Sequence, residues 1–141
     1  LKKDINLLSD DLNNKKIKNL KLNVSAPFHC KYMKKASEKM TSYINDLKMN
    51  ELEKPIISNV TANETSSLKE IKSLLISQIE KKVRWLESVE YMINNGVKNF
   101  VEIGPGKVLS GLIKRINKNV NVSSINSEED IKLLINDKFK K

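Results

Sequence analysis

His29 is the only histidine in the chain. Its imidazole is the one side chain here whose ordinary titration falls near neutral pH, so it can take up and return a proton. It stands just after a strand-like segment and before a helical one, where α/β folds place ligands and chemistry. A surface or packing histidine is the competing reading. Its neighbour Cys30 is the only cysteine. A catalytic thiol would need a second base, since the adjacent His29 points elsewhere, so Cys30 reads as a small packed thiol. One Cys and one His cannot assemble a zinc site. An internal disulfide is equally impossible, and a reducing compartment is the simplest setting.

Gly104, Pro105, Gly106 and Lys107 invite a phosphate-loop reading. The spacing fails, because a P-loop needs GxxxxGK followed by Ser or Thr, and Lys107 is followed by Val108. A dinucleotide fingerprint fails for the same kind of reason. A structural strand-to-helix turn is expected, with the amides of the following helix still able to meet an anion. No GxSxG elbow is present, and Ser110 lies inside a helical pattern. The chain thus offers a base without an activated serine. Arg84 and Trp85 read as a packing pair at a helix start.

Around these residues, 141 positions make one ordinary domain, with 39% hydrophobic and 30% charged residues. No apolar run approaches a membrane span and none reads as a signal peptide. A cytoplasmic location without membrane contact is expected. The net charge of +9 raises nucleic-acid binding as a possibility. All but two of the 26 basic residues are lysine, and they accompany 17 Asn and 15 Ile, the signature of an AT-rich coding sequence. Aromatics are only 5%. Arginine forks and stacking rings, the usual equipment of nucleic-acid sites, are therefore scarce. A solvated lysine surface is the plain explanation, and it would still attract an acidic protein.

Hydrophobic spacing outlines the elements. Ile5, Leu8 and Leu12 predict a helix over about 3–14. Leu20, Leu22 and Val24 alternate as a half-buried strand. Pro27 forces a loop or helix entrance. Met33, Ala36, Met40, Ile44 and Leu47 predict a helix over about 30–48. Residues 55–60 read as a short strand. Ser67 and Glu70 form a capping-box pattern that opens a helix with Leu68, Ile71, Leu75 and Ile79 on its face. Trp85 or Leu86, with Val89, Met92 and Ile93, marks the next helix, ended by Gly96. A strand over 97–103, a helix carrying Val108 to Ile116, a strand over 120–125 and a helix capped by Ser127 complete the chain. Alternation of strands and helices predicts an α/β fold with a mostly parallel sheet.

Two stretches go beyond generic α/β. One is LNVSAPFHC, from Leu22 to Cys30. The other is VRWLESVEYM, from Val83 to Met92, followed by FVEIGPGKVLSGLIKRI, from Phe100 to Ile116. In order and separation they resemble the malonyl-CoA:acyl-carrier-protein transacylase family. The EIGPGKVLSGL wording is similar to the free-standing bacterial enzymes of fatty-acid synthesis. The likeness covers about residues 1 to 126.

The resemblance implies an α/β-hydrolase-like acyltransferase with an inserted ferredoxin-like subdomain. It assigns 1–25 to the last helix and strand of the small subdomain, and 26–141 to the C-terminal part of the large one. It implies transfer of a malonyl group from CoA to the pantetheine thiol of acyl carrier protein, through a serine ester. No cofactor is implied beyond the malonyl-CoA substrate. By resemblance His29 is the general base, and a backbone carbonyl at Arg84 orients its ring. Phe28 selects malonyl by crowding an α-methyl branch, a preference worth only ~1–3 kcal/mol. The family's serine elbow, carboxylate-binding arginine and oxyanion loop have no counterpart in residues 1–141. The likeness is thus to a C-terminal portion, and Leu1 in place of Met reads as a cut edge. The expected partners are malonyl-CoA, acyl carrier protein and the missing N-terminal half, and the chain alone is expected to be inactive. Residues 1–25 are expected to expose an apolar edge. The alternatives are a non-catalytic carrier-binding or half-enzyme module, and a basic nucleic-acid-binding protein.

Overall fold

A computed structural model of the chain describes residues 2–21 and 24–139. Helix α1 spans Lys2–Asn14 and α2 spans Lys34–Asp46, the latter entered through a 3-10 turn at Lys31–Met33. Strands β1 (Ile56–Ile57) and β2 (Glu64–Thr65) follow, then α3 (Leu68–Ser77) and α4 (Trp85–Asn94). The remainder runs β3 (Asn99–Ile103), α5 (Val108–Ile116), β4 (Asn121–Ile125) and α6 (Glu128–Phe139). Among the described residues no helix is long and apolar enough to cross a membrane.

The mixed α/β content agrees with the periodicity, but the sheet is not mostly parallel. β3 and β4 pair in parallel, Asn99 with Asn121 through Ile103 with Ile125. β1 and β2 form a separate antiparallel hairpin, Ile56 opposite Thr65 and Ile57 opposite Glu64. The segment read as one strand over 55–60 ends at Ile57 because the chain reverses there. Ser58 N–H donates to the Asn63 carbonyl at 3.0 Å and Ala62 N–H to the Ser58 carbonyl at 2.8 Å. Ala62 closes the turn at φ +57, a left-handed conformation that non-glycine residues seldom take. It is nevertheless buried. Main-chain bonds on both sides of the turn hold it there.

The expected strand over 20–24 is not formed by its described residues. Leu20, Lys21 and Val24 belong to neither sheet, while Leu22 and Asn23 lie outside the described residues. A strand is stable only when its N–H and C=O groups meet a partner, and no neighbouring strand runs beside these three. Leu20 is 86% exposed. Polar contacts instead tie this stretch to α1. Lys21 Nζ donates to Asn6 Oδ1 at 2.9 Å and Ser9 Oγ to Asn19 Oδ1 at 2.7 Å.

The core lies between the β3–α5–β4 unit and α4. Val89, Phe100, Ile113 and Val120 are buried together, with Trp85, Met92, Ile93, Val97, Ile116 and Val122 packed around them. Trp85, Val89, Met92 and Ile93 of α4 and Ile113 and Ile116 of α5 come from the 3.6-period faces of their helices, and Phe100 and Val122 come from β3 and β4. Gly96 ends α4 at φ +88, as expected of a left-handed helix end. A second, smaller contact packs α2 on α3, burying Ile44 and Ile71. It brings together the segment that follows His29 and the helix that ends beside it.

Candidate active site around His29

His29 sits in the loop before the 3-10 turn. Its φ is +58, a left-handed conformation that costs a non-glycine residue ~1–3 kcal/mol and recurs at functional sites. Phe28 N–H donates to the Ala26 carbonyl at 2.9 Å, which tightens the loop before it. The His29 side chain is exposed. Its Nδ1 is 2.7 Å from the main-chain carbonyl of Gln78. A carbonyl can only accept, so Nδ1 carries the hydrogen and the neutral ring leaves its Nε2 lone pair free. The same bond persists when Nε2 gains a proton. The ring is thereby held in one orientation in both its neutral and its charged form.

Gln78 caps the C-terminus of α3. Carbonyls in the last turn of a helix have no intrahelical partner and are available to a side chain. This corrects the expectation that Arg84 supplies the orienting carbonyl. Arg84 is the N-cap of α4, and its carbonyl is already engaged by Ser88, through N–H at 2.9 Å and Oγ at 2.8 Å. The Arg84 side chain does structural work. Its Nη1 donates to the Thr61 carbonyl at 2.9 Å and its Nε to Glu87 Oε1 at 3.0 Å. That hydrogen bond from Arg84 holds the Glu87 carboxyl below its usual range.

The segment 78–84 is gripped from two sides. Glu80 accepts a hydrogen bond from the buried Ser37 hydroxyl of α2. From the β1–β2 turn, Asn59 Nδ2 donates to Gln78 Oε1 at 3.3 Å, and the Asn59 carbonyl accepts from Arg84 N–H at 2.9 Å. Sequence reasoning passed over Gln78 because a main-chain carbonyl has no side-chain signature. Its only trace was the end of the helical pattern near residue 79. Asn59 offered one cue, a polar amide closing an apolar run where a turn begins.

Phe28, beside the histidine, is 56% exposed. Cys30 Sγ donates to the Pro27 carbonyl at 3.1 Å, a local contact that gives it no activating partner. An open cleft of about 270 Å³ lies nearby, lined by Lys31, Ile76, Ser77, Glu80 and Lys81. Its lining carries two lysines and one glutamate.

The Gly104–Gly106 turn lies elsewhere, and its helix N-terminus is already occupied. Glu102 accepts from Leu109 N–H at 3.1 Å and Ser110 N–H at 2.8 Å. Hydrogen bonds from Ser110, hydroxyl and amide, and from Leu109 N–H keep the Glu102 carboxyl below its usual range. An internal carboxylate therefore takes the place that an anion would have filled. Gly106, at φ +96, donates its N–H to Asn126 Oδ1 at 2.6 Å.

No family model matches the chain. A malonyl CoA-acyl carrier protein transacylase from Staphylococcus aureus (strain COL) is 44% identical over 111 residues, which is 79% of this chain and 36% of that protein. The crystal structure of an acyl-carrier-protein S-malonyltransferase from Bartonella henselae superposes with a TM-score of 0.86 at 34% identity, over 95% of this chain and 43% of its own. A further structure, of a type II PKS acyl-carrier protein in complex with its malonyl-transacylase, matches with a TM-score of 0.82 at 32% identity, over 91% of this chain and 42% of that one. By sequence and by fold, the chain belongs to the malonyl CoA-acyl carrier protein transacylases, and it spans 36% of the length of the curated relative it matches.

Proposed function

We propose that this chain supplies the general base of an acyltransferase that moves a malonyl group from CoA to the pantetheine thiol of acyl carrier protein in fatty-acid synthesis. The observation that carries the reading is the 2.7 Å approach of His29 Nδ1 to the Gln78 carbonyl, which leaves Nε2 as the free proton acceptor. The nucleophile is a serine outside residues 1–141. As its hydroxyl oxygen attacks the malonyl thioester carbon, the hydroxyl proton passes to His29 Nε2. The tetrahedral centre collapses, the C–S bond breaks, and the imidazolium returns the proton to the departing CoA sulfur. The carrier's thiol then gives its proton to Nε2 and attacks the serine ester. The serine leaves and recovers that proton, so the base is regenerated.

Phe28, one residue from the base, is the group that disfavours an α-methyl branch on the acyl chain. Residues 1–25 are the end of the ferredoxin-like small subdomain and 26–141 the C-terminal part of the α/β-hydrolase-like large one. The setting is cytoplasmic and no cofactor takes part beyond malonyl-CoA. Lys31 and Lys81, which line the open cleft, suit an acidic carrier protein.

The test is transfer of labelled malonyl from malonyl-CoA to carrier protein. The 141-residue chain alone is expected to give none. A chimera in which it replaces the matching segment of the S. aureus relative is expected to be active, and His29→Ala in that chimera to be inactive. Turnover by the isolated chain that disappears in His29→Ala would place the nucleophile within these residues and overturn the assignment.

A further inference from the structure

We propose that Asn59 is a positioning residue for His29, acting through the Gln78 carbonyl. The proposal rests on the reading of His29 as the base, but its test does not. Gln78 follows the last residue of α3, and the chain beyond it is held by short local bonds. Ile79 N–H reaches the Ile76 carbonyl at 3.2 Å, and Glu80 N–H reaches that of Ser77 at 3.2 Å. Such a helix end frays unless something outside it fixes the peptide planes. Asn59 holds both ends of the segment, the Gln78 side chain through its amide and the Arg84 N–H through its carbonyl.

The anchor is firm because its own turn is over-determined. Ser58 is buried, Val60 N–H donates to Ser58 Oγ at 3.1 Å, and the left-handed Ala62 is locked by main-chain bonds. The same turn receives the Arg84 guanidinium at Thr61. Two hydrogen bonds joined through the covalent frame of Gln78 thus link the β1–β2 hairpin to the imidazole: Asn59 amide to Gln78 Oε1, and Gln78 carbonyl to His29 Nδ1. An amide at Asn59 is the donor that Gln78 Oε1 requires. A carboxylate there is also served, because the Gln78 amide can turn over and donate.

With a single histidine, the imidazole tautomer of the full chain can be read without ambiguity by long-range 1H–15N NMR. Wild type is expected to be mainly the Nδ1–H form at alkaline pH. Asn59→Ala is expected to lower the Nδ1–H to Nε2–H ratio by roughly two- to tenfold, the range of one part-buried hydrogen bond. Gln78→Ala keeps the carbonyl and removes only the handle, so it should lower the ratio similarly. The double variant should add little to either, and Asn59→Asp should restore the wild-type ratio. A folded Gln78→Ala chain with an unchanged ratio would overturn the proposal, even where Asn59→Ala fails to fold. If these ratios move as expected while the chimera keeps its turnover in His29→Ala, the positioning holds and the catalytic reading of His29 fails.

Discussion

His29 Nδ1 and the Gln78 carbonyl meet at 2.7 Å across 49 positions of sequence. Neither residue could be placed against the other from local pattern. α2 leaves from one and α3 ends at the other, and the packing of these two helices closes the distance. The contact therefore reports tertiary structure, and its loss should be felt in chemistry before stability. In the chimera, His29→Gln should lower kcat by about 10²–10⁴, the usual contribution of a positioned base, with little change in thermal midpoint because the ring is exposed. Single-turnover transfer and a melting curve on the same sample check both halves of this expectation.

Arg84 gives the opposite outcome. Its carbonyl serves Ser88, and its guanidinium ties Thr61 and Glu87 to the start of α4. Arg84→Ala keeps the main chain and should leave the histidine tautomer unchanged. The Glu87 carboxyl should rise toward its ordinary range, since the hydrogen bond from Arg84 is the main cause of its depression. NMR titration of the carboxyl carbon reads that shift. A tautomer change in Arg84→Ala would show instead that the guanidinium, through its bond to the Thr61 carbonyl, is needed to hold the turn that carries Asn59.

How far the sequence foretold this molecule depended on where each signal resides. Val89 and Ile113 announced themselves because burial of one helix face imposes a period, whereas Phe100 and Val120 stood only within segments read as strands. The caps at Ser67 and Ser127 were equally plain. Glu70 N–H reaches Ser67 Oγ at 3.4 Å, and Asp130 N–H reaches Ser127 Oγ at 3.3 Å. The β1–β2 hairpin was hidden because its turn uses Ala62 in a conformation usually signalled by glycine or asparagine. His29 was visible as a side chain, whereas the group that orients it is a peptide oxygen and had no letter to betray it. The alternation at Leu20 and Val24 was a true pattern, but alternation alone cannot supply the partner a strand needs.

Core packing predicts a second measurable loss. Val89 is fully buried, at 0% exposure, and touches the cluster that Trp85 also covers. Val89→Ala removes two methyl groups from a packed interior and should cost about 1.5–2.5 kcal/mol. Trp85 is the only tryptophan, so its emission follows this core directly during urea unfolding.

Acid should unfold the chain from its carboxylate caps. Glu102, Asp130 and Glu87 are all lowered from their ordinary values. Hydrogen bonds are the leading cause in each case: from Ser110 to Glu102, from Asn126 N–H to Asp130, and from Arg84 to Glu87. A carboxyl with a lower pKa folded than unfolded binds fewer protons when folded. Its stabilisation is complete above the ordinary carboxylate range of about pH 4 and is lost as pH falls through the depressed values. Urea midpoints should therefore drop between about pH 5 and 3. Glu102→Gln should flatten that decline by removing one of the three groups. An equal or steeper decline in the variant would remove Glu102 from the acid response.

The apolar surface sets the last expectation. On α1, Ile5, Leu7 and Leu8 are each more than half exposed, and none of the described residues from 3 to 21 is buried. At the end of β3, Ile103 is 80% exposed and Val101 is exposed too, while at the start of α5 Val108 is 71% exposed and Leu109 is exposed beside it. Outward-facing Val101 and Ile103 alternate with inward-facing Phe100 and Glu102, so β3 presents an apolar face to solvent. Patches of this kind favour association. The chain should show concentration-dependent mass in sedimentation at low salt despite its +9 charge. Ile103→Lys together with Val108→Lys should shift it toward monomer, since both side chains already face water and the core loses nothing. Limited proteolysis should cut first before about residue 26, where no described residue from 3 to 21 is buried, and should spare the β3–α5–β4 unit. Uniform resistance along the chain would show that α1 is held firmly despite its exposure.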